Sequence, residues 1–326
     1  MSTFIRNIAN KKTVLFSICL FVGFLVLFSC RKDPKPNFDC EEIPPFTESN
    51  YGFGYKYISD TIKDISYGLP QFNPNNSDEI IFYRSDKKNS TNSMVKYNLN
   101  SKLETIVYEG DIASHPRWSI KDWIIFGKAN GNVWKIRSSG DSLTQLTFDN
   151  QSYSPIWNQG GNKFIARNIS SNLMSVIYSE NGIPLDTISF DVYNSDSWDY
   201  DSLLISHHYF KIDVINPNNN QLLKSYEYDA NEVLWGSVLR LDAEFIVWSQ
   251  IDGIYKSDIN FSKIEKVKST CNAEQYLLGS VNNTKNKMIW FKVSRTLMNE
   301  DTIYQTNTIV LMNTDGSGEV TILGEK

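Results

Sequence analysis

From Tyr51 onward the chain is built of short apolar runs set between short polar ones. Glu79-Ile80-Ile81-Phe82-Tyr83, Trp123-Ile124-Ile125-Phe126, Lys163-Phe164-Ile165-Ala166, Leu203-Leu204-Ile205-Ser206, Phe245-Ile246-Val247-Trp248 and Met288-Ile289-Trp290-Phe291 are the clearest runs. Asn, Gly, Asp and Ser stand between them. Runs of β-branched and aromatic residues bounded by turn formers predict strands. No long stretch places apolar residues at the three- and four-residue spacing of a helix. The pattern predicts an all-β protein.

The strands come in a repeat, written most plainly twice between Asp111 and Ala166. The first copy runs Ser114-His115-Pro116-Arg117-Trp118-Ser119, then Trp123–Phe126, Asn132–Ile136 and Leu143–Thr147. The second opens Tyr153-Ser154-Pro155-Ile156-Trp157-Asn158 and continues Lys163–Ala166. An aromatic ending strand A, an apolar strand B, and strands C and D joined by a polar turn can be followed through six units. The landmarks are Phe72, Trp118, Trp157, Trp198, Trp235 and Leu278, and the steps between them are 46, 39, 41, 37 and 43 residues. A four-stranded propeller blade takes roughly 40 to 45 residues. Each unit alone leaves two sheet faces bare, and six stacked radially cover one another. The expected fold is a six-bladed β-propeller of four-stranded antiparallel blades. A two-sheet sandwich would not require one strand order to recur at this period.

Pro116-Arg117-Trp118-Ser119, Pro155-Ile156-Trp157-Asn158, Gln145-Leu146-Thr147 and Asn313-Thr314-Asp315-Gly316 resemble the repeat of TolB-like propellers, the WD40-like PD40 type. That repeat reads roughly P-x-W-S-P-D-G, two apolar strands, a D-G turn and L-T; no unit here keeps the full W-S-P-D-G. The resemblance implies a binding propeller whose partners are envelope proteins, with Arg84–Asn92 and Ser294–Asn307 as extended contact loops.

The first residues are of another kind. Arg6, Lys11 and Lys12 precede an apolar run from Val14 to Phe28, the segmentation of a secretory signal. The run ends Leu27-Phe28-Ser29-Cys30, which resembles a bacterial lipoprotein site, so Cys30 is the expected point of lipid attachment. Residues 1–29 are then the signal, 30–50 a charged, proline-bearing extended tether, and 51–326 the propeller. Loss of the signal leaves 29 basic against 37 acidic side chains, and no basic patch for nucleic acid is evident. The expected address is the outer membrane, on its periplasmic or surface face. Cys40 and Cys271 remain as a candidate disulfide or as two separate thiols.

Candidate chemistry is sparse. There is no G-x-S-x-G and only His115, His207 and His208 are available as bases. His207 and His208 are adjacent on a strand, so they point to opposite faces and do not form a metal pair unless a turn reorients them. An Asp recurs before strand A at Asp111, Asp149, Asp191 and Asp229, with Asn272 in the next connection. With His115, Tyr153 and Tyr193 these carboxylates form a candidate ring at the channel mouth, able to hold a cation or polar ligand. The competing reading is that each Asp caps its own turn. The Trp series is either inter-blade packing or a carbohydrate-stacking platform; spacing at one strand position favours packing. No cofactor is required. The expected function is a non-catalytic scaffold for an envelope protein or a small polar or carbohydrate ligand. The alternative is a propeller lyase or hydrolase acting on a carbohydrate or lactone with acidic residues or a metal at the channel.

Overall fold

The structure, a computed structural model, describes residues 56–59, 65–170, 174–192, 197–199, 203–208, 211–228, 238–250, 252–271, 273–299 and 302–324. The signal, Cys30, Cys40, Tyr193, Asp229, Trp235 and Asn272 lie outside them. The described residues form strands and turns only. Strand β1 is Lys56–Ser59. Blade 1 is β2 (Ile65–Asn73), β3 (Asn76–Asp86), β4 (Thr91–Asn98) and β5 (Glu104–Glu109). Blade 2 is β6 (Arg117–Trp118), β7 (Trp123–Gly127), β8 (Val133–Arg137) and β9 (Thr144–Gln145). Blade 3 is β10 (Ser152–Trp157), β11 (Lys163–Asn168), β12 (Met174–Ser179) and β13 (Pro184–Ile188). Blade 4 is β14 (Ser197–Asp199), β15 (Leu203–His208), β16 (Lys211–Asn216) and β17 (Gln221–Glu227). Blade 5 is β18 (Val238–Arg240), β19 (Phe245–Gln250), β20 (Gly253–Asp258) and β21 (Ile264–Ser269). Blade 6 is β22 (Glu274–Val281), β23 (Lys287–Asn299), β24 (Thr302–Asn313) and β25 (Val320–Leu323). In every blade the four strands pair antiparallel in chain order. Each blade touches the next, and β2 packs on β22, β23 and β24, closing the ring. The fold is a six-bladed β-propeller.

The continuous apolar look of strand B follows from burial on both faces. Ile80 and Phe82 enter the core shared with blade 6, while Ile81 between them enters the core shared with blade 2. Ile124 and Phe126 face blade 1 and Ile125 faces blade 3. Met288 and Trp290 face blade 5 and Ile289 faces blade 1. A strand's period of two therefore sends alternate residues into different inter-blade cores. Among the described residues the hydrophobic interior gathers into six cores, one per joint. Trp118, Trp157 and Trp198 sit in three of them, as the spacing predicts.

Innermost strands carry a bulge where the repeat has proline. The register slips between Gly68 and Gln71 and between Tyr153 and Ile156. Leu69 and Ser154, the residues before Pro70 and Pro155, have φ of 55° and 47°. Proline has no N–H to give a ladder, so it fits a bulge.

Three expectations need correction. In blade 5 the residue paired with the first buried position of strand B is Arg240, opposite Ile246, and strand A spans Val238–Arg240, so Trp235 precedes the strand instead of ending it. In blade 6 that place belongs to Val281, opposite Met288, and not to Leu278; Leu277-Leu278 fall where the register slips. Ser294–Asn307 is no loop. There β23 and β24 run on past the blade as a long hairpin, and Arg84–Asn92 is mostly strand with a short turn between Asp86 and Thr91. Strand β1 pairs parallel with the extension of β24, Lys56 to Thr302 through Ser59 to Gln305, while β25 pairs with its inner half. Thus β1 covers an edge that would otherwise stand bare.

Candidate functional site

Among the described residues, strand A of blades 1, 2, 3, 5 and 6 ends in a turn held by a side-chain oxygen one or two residues past the landmark position. Asn73 Oδ1 accepts from the Asn75 amide at 2.9 Å, and Ser119 Oγ from the Trp123 amide at 3.2 Å. Asn158 Oδ1 accepts from the amides of Asn162 and Lys163, both at 3.1 Å. Asp242 Oδ1 takes those of Glu244 and Phe245 at 2.8 and 2.9 Å, and Asn282 Oδ1 those of Asn286 and Lys287 at 3.1 and 3.0 Å. This is the physical content of the Trp-Ser and Trp-Asn pairs in the sequence: short polar side chains mimic a backbone turn.

The turns surround a chamber on the propeller axis. Its volume is about 580 Å³, and all six blades line it, within the roughly 300–1,000 Å³ of small-molecule sites. Phe72, Trp118, Trp157 and Trp198 form its apolar wall; Gln71, Arg117, Asn158, Arg240, Asp242, Ser280 and Lys285 are among its polar groups.

In blades 6 and 1 the residue before the landmark reaches the next blade. Ser280 Oγ of blade 6 accepts from the Phe72 amide of blade 1 at 2.8 Å, and Gln71 of blade 1 accepts from the Trp118 amide of blade 2. The corresponding residues of blades 2 and 3 are Arg117 and Ile156, which have no acceptor atom. Trp157 and Trp198 line that side of the chamber, with their indole Nε1 atoms buried. These side chains are 6% and 3% exposed, and neither N–H has a hydrogen-bond acceptor among the described residues. Trp118 Nε1, by contrast, donates to Asp122 Oδ1 at 3.0 Å.

Charge at the chamber runs against that of the chain. Arg117 is 5% exposed; burial alone lowers its pKa to about 9, which leaves it charged at neutral pH. Arg240 folds over its own turn, donating from Nε to Asp242 O at 2.7 Å and from Nη2 to Ala243 O at 3.1 Å.

The sequence-derived site lies elsewhere. Asp111, Asp149 and Asp191 precede strand A, whereas the chamber lies where strand A ends. Asp111 Oδ2 accepts from the Ala129 amide at 3.0 Å. Asp149 accepts from the Gln151 amide at 3.0 Å and from Ser152 Oγ at 2.8 Å. Asp191 pairs with Arg167 at 2.8 Å. Tyr153 is half-buried against the turn at Gly131. His115 is buried, with Nε2 3.3 Å from Pro70 O. A carbonyl only accepts, so Nε2 carries the proton. Burial first and the charge of Arg117 second hold its pKa well below 6.5, and the ring is neutral. His207 is buried and stacked against Tyr228, to which its Nε2 is hydrogen-bonded. Among the described residues no three His, Cys, Asp or Glu side chains converge as a metal site. Cys271 is disulfide-bonded; its partner falls outside the described residues, and every other cysteine of the chain lies at or before position 40.

No protein-family model matches the sequence, and no curated protein matches it either. Solved structures share its fold. An acylaminoacyl peptidase in complex with Z-Gly-Gly-Phe-chloromethyl ketone superposes with a TM-score of 0.51 at 12% identity, over 82% of this chain and 54% of the peptidase. The Pyrococcus horikoshii acylaminoacyl peptidase, in its orthorhombic crystal form, gives 0.51 at 12% identity over 79% and 52%. This chain thus spans about half the length of those peptidases, and the likeness is one of fold.

Proposed function

We propose that this chain is an exported, lipid-anchored propeller of the TolB-like kind, a non-catalytic binding scaffold of the bacterial envelope that receives a polar ligand in its axial chamber. The chamber carries the reading. Six blades build it from side chains held by turn caps and inter-blade hydrogen bonds, so its shape is set before any ligand arrives, which lowers the cost of binding. An aromatic wall with a few placed polar groups is the general make-up of a small-ligand pocket. Support for the anchor comes from the signal-like run ending at Cys30.

A titration of the detergent-solubilised full chain tests the binding. Fluorescence of the chamber tryptophans is followed against glucose, glucosamine, glycine, D-glucuronate, citrate and inorganic phosphate. At least one is expected to give a saturable change; silence from all would overturn the small-ligand reading. For the anchor, alkyne-palmitate label should enter the wild-type protein and be lost in Cys30→Ser, and label persisting in that variant would refute it. The peptidases that share the fold favour a second reading, a propeller hydrolase or lyase acting on a carbohydrate or lactone. Turnover of a bound compound in the same titration would move the assignment there.

A further inference from the structure

One tripeptide recurs without following the blades. Asp, then Ser or Thr, then Ile or Leu stands at Asp60-Thr61-Ile62, Asp141-Ser142-Leu143, Asp186-Thr187-Ile188, Asp201-Ser202-Leu203 and Asp301-Thr302-Ile303. Six aspartates of the chain are followed by Ser or Thr, and five of those six pairs continue with Ile or Leu. A demand of the repeat would put the tripeptide at one place in each blade. Instead it precedes β2, leads into β9, lies in β13 and opens β15 and β24, which are strands A, D, D, B and C of their blades. Thr61 and Ser202 lie outside the described residues; the hydroxyls whose surroundings are described are Ser142 and Thr187. Ser142, just ahead of β9, and Thr187, in β13, are exposed at the outermost strands of blades 2 and 3, as is the Asp before each. Neither lines the chamber. Ser142 Oγ donates to Asp141 Oδ1 at 2.6 Å, and Asp186 Oδ1 accepts from the Thr187 amide at 2.8 Å. Exposed aliphatic side chains stand nearby in the chain, Leu143 after Ser142 and Ile183 and Leu185 ahead of Thr187.

We infer that Ser142 and Thr187 are acceptor sites for O-linked sugar, transferred to the hydroxyl that follows Asp. The inference rests on the envelope reading above, because the donor it needs is a sugar carried on a lipid phosphate, met by a chain at the membrane. In the transfer the hydroxyl oxygen bonds the anomeric carbon, the bond from that carbon to the lipid phosphate breaks, and the hydroxyl proton passes to a base of the transferase. Glycosyl transfer goes through an oxocarbenium-like centre that carries positive charge, and a carboxylate one residue away stabilises it. The same carboxylate disfavours phosphorylation, which would set like charges side by side. A sugar is bulky and solubilising. Placed at the rim, it shields Leu143, Ile183 and Leu185 from other surfaces and leaves the chamber open.

The experiment uses the full chain made in the organism that encodes it. The cells are fractionated, and peptides carrying Ser142, Thr187 and Thr105 are read by mass spectrometry with a fragmentation that keeps a sugar on its residue. Thr105 is a control built into the chain: Glu104-Thr105-Ile106 is also exposed, on the outermost strand of blade 1, and differs from Asp186-Thr187-Ile188 by one methylene. Sugar mass on Ser142 and Thr187, and none on Thr105, is expected. Asp186→Asn and Thr187→Ala should each abolish modification at position 187, whereas Thr187→Ser should keep it. Sugar retained on Ser142 in the same molecules shows that a variant has folded and reached the transferase. Membrane-associated chain with both residues bare would overturn the inference and leave the envelope reading standing. Phosphate in place of sugar, equal modification of Thr105, or sugar persisting on Thr187 in Asp186→Asn would overturn it as well. Chain confined to the cytosolic fraction would overturn the envelope reading and the inference with it.

Discussion

Glu319 offers a test of the joint between blades 5 and 6. Its carboxylate accepts from Tyr276 Oη at 2.5 Å, from Lys268 Nζ at 2.8 Å and from Lys292 Nζ at 3.0 Å. Lys292 also meets Glu274 at 2.9 Å. Burial is the largest single influence on Glu319 and would raise its pKa; the hydrogen bonds from Lys268, Tyr276 and Lys292 together outweigh it and hold the pKa at about 2, against an ordinary 4.5. Burial and the same carboxylate push the Tyr276 hydroxyl far up, so it stays a donor. A folded-state pKa below the unfolded one stabilises the fold above the unfolded value, and the gain disappears as pH falls through the folded value. At about 1.4 kcal/mol per pKa unit this is roughly 3 kcal/mol at neutral pH, and the partial exposure of the carboxylate trims it to about 2 kcal/mol. Glu319→Gln should therefore lower the unfolding free energy by about 2–3 kcal/mol at pH 7, including the loss of a counter-charge for the two lysines. Urea unfolding followed by tryptophan fluorescence at pH 7, 5, 3 and 2 measures the difference between wild type and variant, so that other carboxylates cancel. The gap should hold from pH 7 to 5, narrow below about 4.5 and fall under about 1 kcal/mol by pH 2. A gap that stays constant down to pH 2, or is absent at pH 7, would show that Glu319 is not held ionised by these three donors.

Three further outcomes are expected. Trp290→Ala empties a fully buried site in the same joint and should cost about 3–5 kcal/mol in urea unfolding; a loss below about 1 kcal/mol would mean the joint repacks. Gly182 has φ of +83° and a Cβ there would lie 2.0 Å from Leu146 O, so Gly182→Ala should destabilise by more than the roughly 1 kcal/mol of an ordinary left-handed glycine, and an unchanged melting temperature would refute the contact between blades 2 and 3. Cys271→Ser should cost about 2–4 kcal/mol relative to the oxidised protein. Non-reducing peptide mapping should link Cys271 to Cys40; a Cys271–Cys30 peptide would refute both that pairing and a lipid on Cys30.

What could be read from the sequence follows from what repeats. Trp118-Ser119 and Trp157-Asn158 were legible because one residue fills an inter-blade core and the next caps a turn, and both demands recur in each blade. Blade 5 misled because Arg240 holds the landmark position, where an aromatic was sought, and Trp235 stood near enough to be taken for it. An arginine can fill such a place with its aliphatic stem while its guanidinium turns outward. The recurring Asp does not recur in role: Asp149 caps the turn that starts β10, Asp111 accepts from the Ala129 amide and Asp191 pairs with Arg167. The chamber stayed hidden for the opposite reason. At one register position the blades carry Gln71, Arg117, Ile156, Leu239 and Ser280, five side chains with no shared chemistry. Periodicity finds what the scaffold requires of every blade, and a binding site lives in the departures from it.

Ring closure connects these findings. Blade 6 takes all four of its regular strands from one stretch, Glu274–Leu323, so among the described residues no β-ladder joins it to blade 1. The joint between them is held by Phe72, Ile80 and Phe82 against Ile289 and Ile309 and by the bond from the Phe72 amide to Ser280 Oγ. Side-chain packing gives way locally at lower free energy than a central ladder, so this joint is a natural first place for the ring to open. Pairing with β24 brings β1, Lys56–Ser59, to blade 6 and limits the separation open to the joint. Because Phe72 and Ser280 also line the chamber, whatever keeps that joint shut preserves the chamber wall, and ring closure and the shape of the chamber depend on the same few contacts.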